Sequence, residues 1–372
     1  MKYAALVGLL ALAVGCTNVT ARSGRGNNRN DNNKPGAGSG SAKPTYDPDK
    51  DQDLDGYTPN QGDCDDTTPL VNPGAAEVLG NNYDDDCDGE ADENETECES
   101  LAMGKTDPTS MAEALGLCNP DFLVEAKLAG PGDVRARAIV DSFGVVQPQG
   151  GPAMIVLSSG IAADSNDKGF QSPQSGVTLN YTNTAPNPAP DLPVAAGCGQ
   201  ANPAMVNDYT ELILKLRVPS NANSFSFNSQ FLSAEYPEFV CTSFNDAFIV
   251  LLDDGVNPER NITFDDGGNP ISVNNGFFRV CENYAAKPQT QNCTRPMSEI
   301  AGTGFDTVES WDDTPVGGST GWLKTSAPVA PGTEIKLRFI IWDASDHIYD
   351  STVLIDNFLW SVESVDGPIT IG

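Results

Sequence analysis

The sequence predicts a mainly β chain: a β-sandwich or jelly-roll-like domain preceded by a small, acidic, cysteine-linked module. Three observations carry this. Apolar residues recur at every second position in several windows: Phe122, Val124, Ala126 and Leu128; Leu212, Leu214, Leu216 and Val218; Phe225, Phe227 and Phe231; and Ile335, Leu337, Phe339 and Ile341. A period of two puts such residues on one face of a strand. Two stretches, "AFIVLLDDG" from Ala247 and "STVLIDNFLW" from Ser351, are apolar almost throughout, as strands covered on both faces are. Finally, the acidity is local: residues 47–99 hold 19 carboxylates and one basic residue, Lys50.

The chain opens with "MKYAALVGLLALAVGC", a lysine and then an apolar run too short to span a bilayer. Ending in Ala13-Val14-Gly15-Cys16, it resembles a bacterial lipoprotein signal, although Ala13 stands where leucine is commoner. The resemblance implies removal of residues 1–15 and lipidation of Cys16, and Thr17 after it points to the outer membrane. Residues 16–46 are rich in Asn, Gly, Ser and Pro and cannot bury a core, so they are expected to be a flexible tether. The acidic module is placed at 47–97. A short helix is expected within 98–120, with Ser110 as N-cap and Glu113 three residues on. The strand pattern fills 121–366, punctuated by clusters such as "APNPAPDLP" and "TPVGGSTG", and 367–372 is a tail.

The formal charge of −31 argues against nucleic acid as a partner, since phosphate recognition needs a basic surface. Beyond Cys16 there are eight cysteines, an even number that suggests disulfides in an exported chain. Sequence proximity pairs Cys64 with Cys87, Cys98 with Cys118, Cys198 with Cys241 and Cys281 with Cys293, one arrangement among about 105.

Five aspartates stand at every second position from Asp47 to Asp55, and an extended backbone would turn them to one face. Such a row calls for a cation. Asp84, Asp86 and Asp88 followed by Gly89 match the opening of an EF-hand-like count, with Glu90, Asp92 and Glu95 at its seventh, ninth and twelfth positions. Asp51, Asp53, Asp55 and Gly56 repeat that opening, with Tyr57 at the seventh position, but Gly62 occupies the twelfth. Asp63, Asp65 and Asp66 are left to close that loop in another way, and Cys64 with Cys87 would tie the two loops together. Oxygen-only donors favour Ca²⁺ over copper or zinc, which prefer sulfur and imidazole.

The stretch "DGYTPNQGDCDDTTPLVNPGAAEVLGNNYDDDCDGEADE", from Asp55 to Glu93, resembles the metal-binding repeat of MopE-type surface proteins. "FSFNSQFLSAEYPEFVCTSFNDAFIVLLDD" (225–254), with "GWLKTSAPVAPGTEIKLRFIIWDASDHIYDSTVLIDNFLW" near the end, is similar to the choice-of-anchor L domain. That resemblance implies a bacterial surface protein, of the kind found in myxobacterial lipoproteins, with no known enzymatic activity. Within this domain Glu235, Glu238, Asn245 and Asp246 could meet Asp343, Asp346, Asp350 and Asp356 across neighbouring strands. Glu235, Asp246, Asp346, Asp350 and Asp356 are therefore candidates for a second metal or ligand site. Tyr236, Trp311, Trp322, Trp342 and Trp360 are candidates for a sugar-stacking platform.

Catalytic signatures are weak. Gly317 to Gly321 fits G-x-S-x-G around Ser319, but in a Pro/Gly loop rather than a strand-to-helix turn. His347 is the lone histidine. The sequence is thus read as a non-enzymatic, lipid-anchored, calcium-binding surface protein of the cell envelope. Its β-sandwich would bind an envelope or extracellular polysaccharide or protein. A purely structural envelope component and a carbohydrate-active enzyme are the alternatives.

Overall fold

In the computed structural model, the residues described are 47–78, 81–93, 98, 103–130, 133–177, 179, 185–186, 189, 198, 205–274, 277–283, 293–308 and 315–372. The predicted signal, Cys16 and the tether lie outside them, as do Glu95 and Trp311. Asp47–Gly372 forms one compact unit.

Helix α1 (Pro108–Ala114) comes first. Its cap is Asp107 and not Ser110: the Asp107 side chain accepts from the Ser110 amide, and Pro108 fills the first turn. Proline needs no amide partner there and is preset for helical φ, so the helix starts before the serine. Ser110 is buried instead.

The strands are β1 (Leu123–Ala129), β2 (Arg137–Val140), β3 (Met154–Ser158), β4 (Ala185–Pro186) and β5 (Met205–Arg217). They continue with β6 (Ser224–Ser233), β7 (Ala247–Asp253), β8 (Arg260–Asn261), β9 (Thr307–Val308) and β10 (Pro315–Val316). Last come β11 (Gly318–Ser319), β12 (Leu323–Pro328), β13 (Glu334–Asp343), β14 (Ser351–Ser361) and β15 (Ile369–Ile371). One sheet runs β1-β5-β13-β7-β8 with β4 beside β5, and the other runs β15-β12-β6-β14-β3-β2 with β11 beside β6. Within these two sheets every neighbouring pair is antiparallel.

The core lies between the sheets. Leu212, Leu214, Leu216, Phe339 and Ile341 meet Phe225, Phe227, Phe231, Val353 and Ile355, all without solvent exposure. All but Val353 and Ile355 are period-two residues of the sequence. The two continuous runs became β7 and β14, whose alternate residues are buried on the outer faces. Ile249 and Leu251 pack with Ile340 and Trp342; Leu354 packs with Phe143, Ile300 and Phe305. The period fails once. A register shift between Leu123 and Glu125 leaves Val124 exposed while Leu123 packs inward, as an inserted bulge residue requires.

Disulfides join Cys64–Cys87, Cys98–Cys118, Cys198–Cys241 and Cys281–Cys293. The acidic segment is fastened to the sandwich at the turn before β6. Asn221, itself buried, accepts from the Ala76 amide at 3.0 Å and donates to the Ala76 and Leu70 carbonyls at 2.8 and 3.3 Å. The Ser220 amide and hydroxyl bond Gly74 and Asn72, and Val71, Ala75 and Ala76 are buried.

Candidate metal centre

Apart from a single 3-10 turn at Pro59–Gln61, the described backbone of the acidic segment is neither strand nor helix; it coils so that carboxylates converge. The five-aspartate row is broken after Asp49 by a turn, and Asp49 instead accepts from Asn60. Only Asp51, Asp53 and Asp55 of the row converge, each offering an oxygen within 4.8 Å of the others. Leu54 and Gly56 take positive φ, 70° and 102°, which folds the chain back around the three side chains.

The second loop repeats the first closely, differing in one amide, three residues on from Asp51 but four residues on from Asp84. Asp51 accepts from the Leu54 and Gly56 amides, and Asp84 accepts from those of Asp88 and Gly89. Asp53 accepts from Asp55 and Asp86 from Asp88; Asp55 accepts from Tyr57 and Asp88 from Glu90. Cys87 and Gly89, at 63° and 103°, match Leu54 and Gly56. The amides thus fix one oxygen of each inner carboxylate and leave the other to point inward.

Each loop is closed from elsewhere in the chain. Asp53 also groups with Asp63 and Asp66, both buried. Asp84 and Asp86 group with Glu77, and Asp86 and Asp88 with Glu93. Glu77 is set by its two oxygens accepting from the amides of Asp85, Asp86 and Asp92. It arrives through the Asn72–Glu77 turn. There a Cβ at Gly74 would stand 2.6 Å from the Tyr57 hydroxyl, so any larger residue requires the Tyr57 side chain to move. Cys64 follows Asp63 and Cys87 follows Asp86, so their disulfide joins the two loops at ligand-bearing positions.

Charges this close repel by roughly 3–4 kcal/mol per pair at an effective dielectric of 20. Burial first, then the neighbouring carboxylates, hold Asp53, Asp63, Asp86 and Glu93 above the ordinary carboxylate range. Oδ2 of Asp53, Asp55 and Asp63 and Oε2 of Glu93 are buried with no hydrogen-bond partner. A hard cation in the first group would satisfy the three aspartate oxygens, and one in the second group the Glu93 oxygen, so the residues fit a metal.

Several predicted ligands fall outside these groups. Asp65 is exposed and accepts from Thr67, because Asp63 and Asp66 take the inward positions around it. Asp92 caps the Asn81 and Asn82 amides. Tyr57 lays its ring on Gly74, and Glu90 is exposed. The spacing count names neither Glu77, which reaches the loop from outside it, nor Glu93, which stands at its tenth position, where the count places no ligand.

In the sandwich, Glu235 and Asp246 are brought to Asp343, each offering an oxygen within 4.8 Å of the others, and all three are buried. The other candidates go elsewhere. Asp350 bonds the Val177 amide, Asp356 those of Gln149, Gly150 and Asn357, and Asp346 that of Ile348. Asp356 follows the inward Ile355 and so faces the opposite side of β14. Tyr236 and Trp342 are core residues, Tyr236 stacked on Phe278 at 4.1 Å, and Trp360 packs against Phe225 and Phe358. These aromatics therefore form no open platform.

The geometry defines a two-sheet β-sandwich protein with paired, disulfide-linked carboxylate loops. Residues 142–358, more than half of the chain, match the family model of the choice-of-anchor L domain, and the protein belongs to that family. Residues 63–93 match the model named for copper binding in MopE and described as "Putative metal-binding motif". No curated protein matches the chain. Among solved structures it is similar to TmCBM61, determined in complex with β-1,4-galactotriose, at 10% identity and a TM-score of 0.26, over 65% of this chain and 92% of that one.

Proposed function

We propose that the protein is a calcium-binding component of the cell surface, lipid-anchored through Cys16 at the outer membrane. Its sandwich presents a binding face to an envelope or extracellular polysaccharide or protein. The carrying observation is the pair of similar loops with converging carboxylates, where three oxygens at the first (Asp53, Asp55, Asp63) and one at the second (Glu93) meet no donor. Asp51, Asp53, Asp55, Asp63 and Asp66 would hold one ion, and Glu77, Asp84, Asp86, Asp88 and Glu93 another. Bound calcium neutralises the clustered charge and stiffens a segment that is already fastened to the sandwich at Asn221. Calcium is favoured over copper because every donor is a carboxylate oxygen, and the chain's one histidine, His347, is engaged 2.6 Å from Asp208. A binding role is favoured over catalysis because Ser319 is buried and its hydroxyl accepts from Gln230 and Gly321.

The test is calorimetric titration of the full chain with Ca²⁺, Mg²⁺ and Cu²⁺ in turn, with Asp53→Asn/Asp86→Asn as the comparison. Saturable calcium binding that the double variant loses at both loops is the expected result. No binding at millimolar calcium, or saturation by copper alone, overturns the reading.

A further inference from the structure

We propose that Glu235, Asp246 and Asp343 form a second cation site, inside the sandwich, for a hard divalent ion of the calcium type. The three residues come from three places in the chain. Glu235 leaves the end of β6 in one sheet, Asp246 precedes β7 in the other, and Asp343 ends β13. All three reach the same end of the sandwich, where the strands of both sheets terminate together.

Asp246 is held in place as a positioned ligand would be. Its Oδ1 accepts from the Ala344 amide at 2.9 Å and its Oδ2 from the Ser351 hydroxyl at 2.6 Å, at the start of β14. Glu235 and Asp343 differ. They are 1% and 0% exposed, yet Oε2 of Glu235 and both oxygens of Asp343 have no hydrogen-bond partner. Buried polar atoms of folded proteins are almost always paired, and buried charges are paired or bind metal. Among the described residues, the further charges acting most strongly on this group are the carboxylates of Asp346 and Asp350, which add to the need for a cation. An ion there would bridge the ends of β6 and β14 in one sheet to those of β7 and β13 in the other. It would also fix both ends of the segment between Glu235 and Asp246, which carries the Cys241 half of a disulfide.

The site is independent of the acidic loops, and its test keeps the two apart. Calcium is titrated into the full-length wild type, Asp343→Asn, Glu235→Gln and the loop variant Asp53→Asn/Asp86→Asn, with thermal unfolding in calcium and in chelator. The loop variant should keep one calcium equivalent, and Asp343→Asn should lose that one and keep the loop equivalents. Its remaining affinity at the interior site should fall at least tenfold. The melting temperatures should also cross. Asp343→Asn should melt below wild type in calcium, but at or above it in chelator, where an uncompensated buried carboxylate has been removed. If Asp343→Asn does not fold, Glu235→Gln is read in its place, because it leaves both hydrogen bonds of Asp246 intact. The proposal is overturned if the loop variant binds no calcium. It is equally overturned if the interior variants keep the wild-type stoichiometry and calcium-dependent melting shift, in which case the three acids share protons.

Discussion

In the N-terminal loops, converging carboxylates lie two residues apart and backbone amides hold them before any ion arrives. In the sandwich interior, Glu235, Asp246 and Asp343 come from three separate strand ends, and one oxygen of Glu235 and both of Asp343 have no hydrogen-bond partner. The first arrangement is built by local chain geometry and fastened afterwards to the fold. The second exists only once both sheets have paired. The loops should therefore respond to changes in their own backbone and cross-link, and the interior group to the assembly of the sandwich.

The sharpest way to break that distinction is the disulfide between the loops. Closing a 23-residue separation contributes about 3 kcal/mol in the chain-entropy account. Cys64→Ser/Cys87→Ser should lower unfolding stability by about that amount in urea titrations and weaken both loop equivalents of calcium at least tenfold. The interior equivalent should be unchanged. Loss of all calcium binding would show that the two regions are not independent.

Asp356 asks whether burial alone, without missing partners, makes a carboxylate costly. It is fully buried but accepts from three backbone amides. Burial pushes it up to about 6, against the pull of those amides. A raised folded-state value means that its contribution to stability is fully present below about pH 3.8. That contribution is lost as the pH rises through 6, to a total of about 2–3 kcal/mol. Asp356→Asn should flatten the stability–pH curve between pH 4 and 7, measured in chelator by urea unfolding. An unchanged slope there would mean that the amides outweigh burial.

Asn221 tests the seam between the regions. Asn221→Ala leaves the amide and carbonyl of Ala76 without partners in a buried setting, at a cost of about 2 kcal/mol. Hydrogen exchange should quicken across residues 70–78 and leave β13 and β14 protected. Equal loosening of both would mean that the acidic segment and the sandwich unfold as one cooperative unit.

What the sequence revealed follows the same division. The strand periods of β5, β6 and β13 were legible because alternation is a local property, and so were the aspartates before Gly56 and Gly89. Glu77 was not legible, since it depends on how the Asn72–Glu77 turn folds back. In the interior, Glu235 and Asp246 were set against Asp343 as one of four possible partners, but the candidate site grouped them with Asp346, Asp350 and Asp356. Parity along β14 assigns Asp356 to the outer face, whereas the meeting with Asp343 depends on where β6, β7 and β13 end, and a register shift between Ile341 and Asp343 alters that end. Val124 and the Asp107 cap were misplaced for equally local reasons, a bulge and a proline.

The smallest expected effect bears on whether the two loops are true equivalents. Gly56 and Gly89 have φ of 102° and 103°, and a Cβ at either would meet nothing within 4 Å. Gly56→Ala and Gly89→Ala therefore introduce backbone strain and no clash, at a cost of about 1 kcal/mol each. Each should weaken calcium at its own loop by a few-fold in calorimetry. If the loops are equivalent, the two losses should agree within experimental error. A much larger loss for Gly89→Ala would mean that Glu77 and Glu93 constrain the second loop more tightly than Asp63 and Asp66 constrain the first.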